Sequence, residues 1–171
     1  PKLFAALFLM SGAFWWYFEY LNRFVQNWYY ENAAGFTPLE YFLFATLPFC
    51  TVLPAVLGTF EYLRSFPRLG LGWDDGVFFY LEHPRRTAAC ALLFFGVGLA
   101  AIGILPDYLF PLVWISPLAV VTAMKTLTGE STLFRDLRLG HWRTVCLLAL
   151  SALICGFFWE MWNYHSQAKW I

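Results

Sequence analysis

Glu19 and Asn22 stand three residues apart, and Glu160 and Asn163 repeat that spacing near the other end of the chain. Residues three apart share a helix face, so each pair presents a carboxyl group beside an amide. A carboxyl group in a low-dielectric site holds its proton more tightly and can act as a general acid. Trp15 and Trp16 precede the first pair and Trp28 follows it, while Trp159 and Trp162 flank the second. Ring faces of this kind stabilise a developing cation. A third acid, Glu40, follows Pro38 in the run TPLEYFLF. The candidate catalytic acids are therefore Glu40, Glu19 and Glu160. The candidate substrate-binding residues are Asn22, Asn163, Trp15, Trp16, Trp28, Trp159, Trp162 and Arg23, the last placed to pair with Glu160 across a helix bundle. A plainer reading stands beside each. Glu and Asn at matched depth can glue two helices together. Glu40 suits the first turn of a helix capped by Thr37 with Pro38 at its first position.

Other chemistries find little to build on. His83, His141 and His165 do not oppose one another within apolar segments, so bis-histidine haem ligation is not indicated. A metal held by Glu160, His165 and Glu19 is conceivable, but no metal or other cofactor is assigned. Cys50, Cys90, Cys146 and Cys155 lie in apolar runs without a CxxC pair and read as small core residues. Gly96-x-Gly98 reads as helix packing, not a nucleotide fingerprint. The net charge is zero, which gives nucleic acid no electrostatic purchase.

The elements that must position these residues are apolar. The chain of 171 residues is 60% hydrophobic and only 13% charged, against about 25% charged in soluble domains. Segments 3–24, 39–63, 87–105, 108–127 and 142–162 each approach the ~20 residues that a helix needs to span hydrocarbon. The expected fold is an all-α polytopic membrane bundle of about five transmembrane helices. It forms a single transmembrane domain over 1–171, expected to be a fragment truncated at its C-terminus. Pro48 and Pro54 should kink the second segment, and Pro111 and Pro117 the fourth. Basic residues concentrate after the second segment (Arg64, Arg68, Arg85, Arg86) and after the fourth (Lys125, Arg135, Arg138, Arg143). Positive loops face the cytoplasm. This puts the N-terminus inside and the C-terminus outside, with both acid-amide pairs near the outer face. Within the basic loops, residues 77–86 and 134–139 are predicted as short interfacial helices, and Glu61 with Arg64 as an ion pair.

An internal repeat runs through these segments. Pro48-x5-Pro54-x4-Thr59 matches Pro111-x5-Pro117-x4-Thr122. Arg86-Thr87-x2-Cys90 is echoed by Arg143-Thr144-x-Cys146. The second and third segments thus resemble the fourth and fifth, and the first resembles the fifth through its acid-amide pair. Matched helices run the same way, which makes the repeat parallel.

Glu19-x2-Asn22, Trp28-x-Tyr30, Gly35 and Pro38-Leu39-Glu40-Tyr41, read as one string, resemble the membrane-embedded lycopene β-cyclases of the heterodimeric or fused type. The resemblance covers residues 19–44 with a partial echo at 159–170. It implies acid-catalysed ring closure at the ends of a polyene, with Glu40 as acid and Glu19 and Asn22 beside it. The sequence departs from that pattern at Tyr41, where the family has a second carboxylate. Three functional readings fit: an isoprenoid-modifying enzyme, a non-enzymatic subunit that binds pigment, quinone or lipid inside a larger membrane complex, or a transporter. The expected partners are membrane lipid, an isoprenoid or pigment ligand and other membrane subunits, with no nucleic acid.

Overall fold

Long apolar runs become helices because a helix satisfies its own backbone donors and acceptors. The structure, a computed structural model, describes residues 2–171. Its seven α-helices are α1 (Lys2–Val25), α2 (Pro38–Arg64), α3 (Pro84–Ala100), α4 (Pro106–Leu109), α5 (Pro111–Thr128), α6 (Leu133–Leu137) and α7 (Arg143–Tyr164). Two short strands, β1 (Tyr30–Glu31) and β2 (Lys169–Trp170), pair antiparallel. Three helices, α2, α5 and α7, are long and apolar enough to cross a membrane. The helix α1 is also long, at 24 residues, but carries Trp15, Trp16, Tyr17, Glu19, Tyr20, Asn22 and Arg23 in its second half. The 17 residues of α3 extend about 26 Å. Apolar side chains stay on the outside, with Leu47 70% exposed, Phe157 67% and Leu153 71%. That surface suits lipid better than water.

The chain divides into two compact units. The first takes the residues up to Tyr20, Gln26–Leu69 and Cys146–Ile171, and the second takes Leu21–Val25 and Gly70–Val145. In the first, α1 meets α2 at Ser11 and Gly12. Buried Ser11 donates its hydroxyl to the Phe49 carbonyl and accepts from Leu53 N at 3.0 Å. Those two backbone groups are four residues apart, the pair that a regular helix joins directly. The serine is therefore inserted at a rung of α2 next to Pro54, which itself lacks a donor. Gly12 makes the approach possible, since a Cβ there would lie 2.8 Å from Cys50 Sγ. Thr37 caps α2 in a full capping box with Glu40. Glu61 and Arg64 form the predicted ion pair at 2.6 Å.

In the second unit α3 packs along α5. Gly98 admits Leu112, whose Cδ1 a Cβ at that glycine would overlap. The fourth predicted segment is broken at its start. Residues 106–109 form the separate turn α4, and Pro111 opens α5 instead of kinking it. Proline at the first helical position loses no bond, because that N–H has no partner anyway. Residues 77–81, predicted as the start of an interfacial helix, are not helical, and α3 begins only at Pro84. This stretch runs against the loop that carries α6. Gly76 N donates to Gly140 O at 3.0 Å and Phe79 N to Leu137 O at 3.0 Å, while Trp142 Nε1 donates to Val77 O at 2.8 Å. Backbone partners in the other loop outcompete the local helix. The helix predicted at 134–139 does form, as α6.

Candidate functional site

Glu19 lies half-buried near the end of α1. Its Oε1 accepts two hydrogen bonds, from Trp28 Nε1 at 2.9 Å and from the Tyr30 hydroxyl at 2.6 Å. Both donors come from the connection between α1 and α2, so the carboxylate ties that connection back onto its helix. With Oε1 engaged as an acceptor, Oε2 is the oxygen that would carry a proton in acid chemistry.

A ring cluster stands beside the carboxylate. Tyr30 meets Tyr41 edge-on at 6.1 Å, and Tyr41 meets Trp16 at 6.2 Å. Trp16 stacks on Phe42 at 5.1 Å and abuts Phe49 at 5.4 Å, while Trp15 lies 5.8 Å from Phe49. Trp16 Nε1 donates to Thr46 Oγ1 at 3.0 Å, and the Thr46 hydroxyl donates to Phe42 O at 2.6 Å. The orientation of the indole is thus set by a polar anchor as well as by packing.

The second acid-amide pair joins the same unit through β2. Asn163, 4% exposed, donates from Nδ2 to Trp170 O and accepts at Oδ1 from Trp170 N, both at 2.9 Å. Its amide imitates a strand neighbour for Trp170. Trp170 pairs with Tyr30 and Lys169 with Glu31 across the strands, and Tyr29 and Ile171 exchange two further bonds. The Trp170 indole donates to Glu160 Oε1 at 3.3 Å. A continuous path therefore runs from Glu19 through Tyr30 and Trp170 to Asn163 and Glu160.

The predicted residues separate into groups. Glu19, Trp28, Trp15 and Trp16 gather at the ring cluster. Glu160 is exposed at the far end of the path, with Trp159 half-buried beside it in sequence and Trp162 61% exposed. Glu40 is exposed and its Oε2 accepts from Thr37 N at 2.8 Å and from the Thr37 hydroxyl at 2.7 Å. It serves as a helix cap. Asn22 is half-buried and Arg23 exposed, both in the second unit. Among the described residues no group of three or more His, Cys, Asp or Glu is placed to hold a metal. Tyr30, Trp170 and Thr46 were not among the predicted site residues. Tyr30 was within reach of sequence reasoning as the second ring of Trp28-x-Tyr30, but the strand pairing that brings Trp170 to it leaves no local pattern.

Burial, reinforced by the hydrogen bond to Glu19 and its charge, pushes the Tyr30 phenol well above its ordinary 10.0. The unfolded chain releases this proton near 10 and the folded chain retains it. The stability this contributes is complete below about pH 10 and is lost as pH rises beyond it. The phenolate absorbance difference between the native protein and Tyr30→Phe should show no ionisation of Tyr30 while exposed tyrosines titrate. Ionisation of Tyr30 along with the others would contradict the burial and the bond.

No protein-family model, curated protein or solved structure matches this chain.

Proposed function

We propose that this is a multi-pass membrane protein that binds a long apolar ligand of the isoprenoid or pigment class at the ring cluster, and that Glu19 acts on that ligand as an acid. The observation that carries the proposal is the half-buried Glu19 carboxyl, oriented by Trp28 and Tyr30 beside the rings of Tyr41 and Trp16. The protonated form of Glu19 delivers its proton from Oε2, the rings stabilise the resulting cation, and after ring closure the cation loses a proton back to the Glu19 carboxylate. This keeps the chemistry implied by the lycopene β-cyclase resemblance but moves the acid from Glu40, occupied as a cap, to Glu19.

The strand pair supports five crossings. β1 and β2 are bonded, so residues 31 and 169 share one side of any membrane and an even number of crossings separates them. The apolar helices α2, α5 and α7 supply three, and α3 is the remaining long helix between the strands. With α1 this makes five, with the N-terminus and basic loops cytoplasmic and both strands outside. The parallel repeat gains support from a shared contact. Glu19 accepts from the indole nine residues on, and Glu160 from the indole ten residues on.

A non-enzymatic subunit that binds pigment, quinone or lipid in a larger complex is the second reading. It is favoured by the engagement of Glu40 and Glu160 in a cap and a strand tether, which leaves one acid where the family pattern has two. Expression of the whole protein in lycopene-accumulating cells separates the two. Conversion of lycopene that falls about 100-fold or more in Glu19→Gln, the lower bound for loss of a general acid, and survives in Glu40→Gln and Glu160→Gln supports the enzyme. Pigment that co-purifies unchanged supports the subunit. Absence of both conversion and bound pigment rejects the proposal.

A further inference from the structure

The second unit contains a cavity of about 720 Å³, within the ~300–1,000 Å³ usual for small-molecule sites. It shares no lining residue with the Glu19 site, and the inference rests only on the reading of the chain as a membrane protein. Its floor lies where α3 and α5 face each other with short side chains, Ala88 and Ala91 on one helix and Ala119 and Ala123 on the other. Phe95, Ile115 and Leu118 extend an apolar wall. The hydroxyl of Thr126, also in the lining, donates to Thr122 O at 2.8 Å. Its bonding is thus met inside α5, leaving the wall oily.

The rim has the opposite chemistry. Arg135 and Arg138 both border the cavity, and among the described residues neither forms an ion pair. The one acidic residue in the lining, Glu130, is paired with Lys125 at 3.7 Å. The uncompensated charge at the mouth is therefore positive. The rim is also built: Phe79 stacks on Phe134 at 5.5 Å and Arg138 lies over the Tyr80 ring at 5.3 Å. Guanidinium groups suit phosphate oxygens, and a basic mouth on an apolar cleft between helices of a membrane protein suits an anionic lipid.

We propose that this cavity binds one anionic glycerophospholipid, its phosphate at Arg135 and Arg138 and an acyl chain along the α3–α5 floor. The test uses the whole purified protein in maltoside detergent. The thermal midpoint is followed against dioleoylphosphatidylglycerol, dioleoylphosphatidylcholine and inorganic phosphate. Phosphatidylglycerol should raise the midpoint saturably, with phosphatidylcholine needing at least tenfold more for the same shift and phosphate giving none. Arg135→Gln with Arg138→Gln should raise the half-saturating phosphatidylglycerol concentration at least tenfold. Ala119→Phe, which fills the floor, should abolish the saturable shift while leaving the arginines in place, so either variant alone keeps the test decisive. Equal responses to the two lipids, or an unchanged response in either variant that folds, would overturn the proposal. A full response to phosphate alone would overturn it too, by assigning the arginines to a free anion.

Discussion

Asn163→Leu is expected to detach the C-terminal strand and lower stability by about 1–3 kcal/mol, because it strips two half-buried backbone groups of Trp170 of their partners. The amide donates to Trp170 O and accepts from Trp170 N, and leucine can do neither. Once Trp170 is released, the β1–β2 pair loses its support, since strands of two residues cannot hold themselves. The damage should therefore reach Tyr30 and, through it, the connection tied to Glu19. Hydrogen exchange at the Tyr29 and Ile171 amides, which bond each other's strand at 3.1 and 2.9 Å, reads this directly: both should become unprotected. Asn163→Asp keeps the acceptor and loses the donor, so its loss should be intermediate. If Asn163→Leu left those amides protected, the asparagine would not be what holds β2.

Gly12→Ala is expected to cost about 1–3 kcal/mol through overpacking. The added Cβ would sit 2.8 Å from Cys50 Sγ, inside van der Waals contact. Relief by moving the helices apart would pull Ser11 off the Phe49 carbonyl and the Leu53 amide. Cys50→Ala removes the sulfur that the new methyl meets. Placed in the same molecule, it should restore most of the loss, giving a non-additive double-mutant cycle measured by thermal unfolding. Simple addition of the two single losses would mean that α1 does not approach α2 at this point.

Much of the helical framework could be read from the sequence. Apolar runs marked α1, α2 and α7 to within a residue or two, because hydrocarbon-length stretches have few alternatives to a helix. Thr37-Pro38-Leu39-Glu40 announced a capped start, and the cap formed. What escaped depended on contacts between distant residues. Residues 77–81 look like a helix alone, but Phe79 N bonds Leu137 O, and Gly76, just before them, bonds Gly140 O. Pro111 reads as a helix-interior residue because its apolar run continues back to Tyr108. The break falls there because Phe110 N makes the last bond of the α4 turn, to Pro106 O at 3.0 Å, and Pro111 has no N–H to continue it.

The candidate site was half legible. Two acid-amide pairs set in rings pointed to residues 19–44 and 159–170, and these stretches do meet. Their junction is made by Tyr30 and Trp170, which no periodicity marks. The glutamates also divided in a way that spacing does not reveal. Glu19 faces rings, while Glu40 and Glu160 are exposed and occupied with a cap and a strand tether. Ser11 carries the least signal of all, a single hydroxyl in an apolar helix, yet it completes the hydrogen bonding of α2 beside Pro54.

Everything proposed for the site depends on the two stretches sharing one face of the membrane. Single cysteines at Asn32 and Ala168, in whole protein whose native cysteines are replaced by serine or alanine, test this with a membrane-impermeant maleimide. Asn32, between β1 and α2, is exposed, and Ala168, next to β2, is half-buried. Both should label from outside intact cells, and a control cysteine at Arg68 only after the membrane is opened. Labelling of 32 and 168 from opposite sides would break the β1–β2 pair, the even count of crossings and the joined site together.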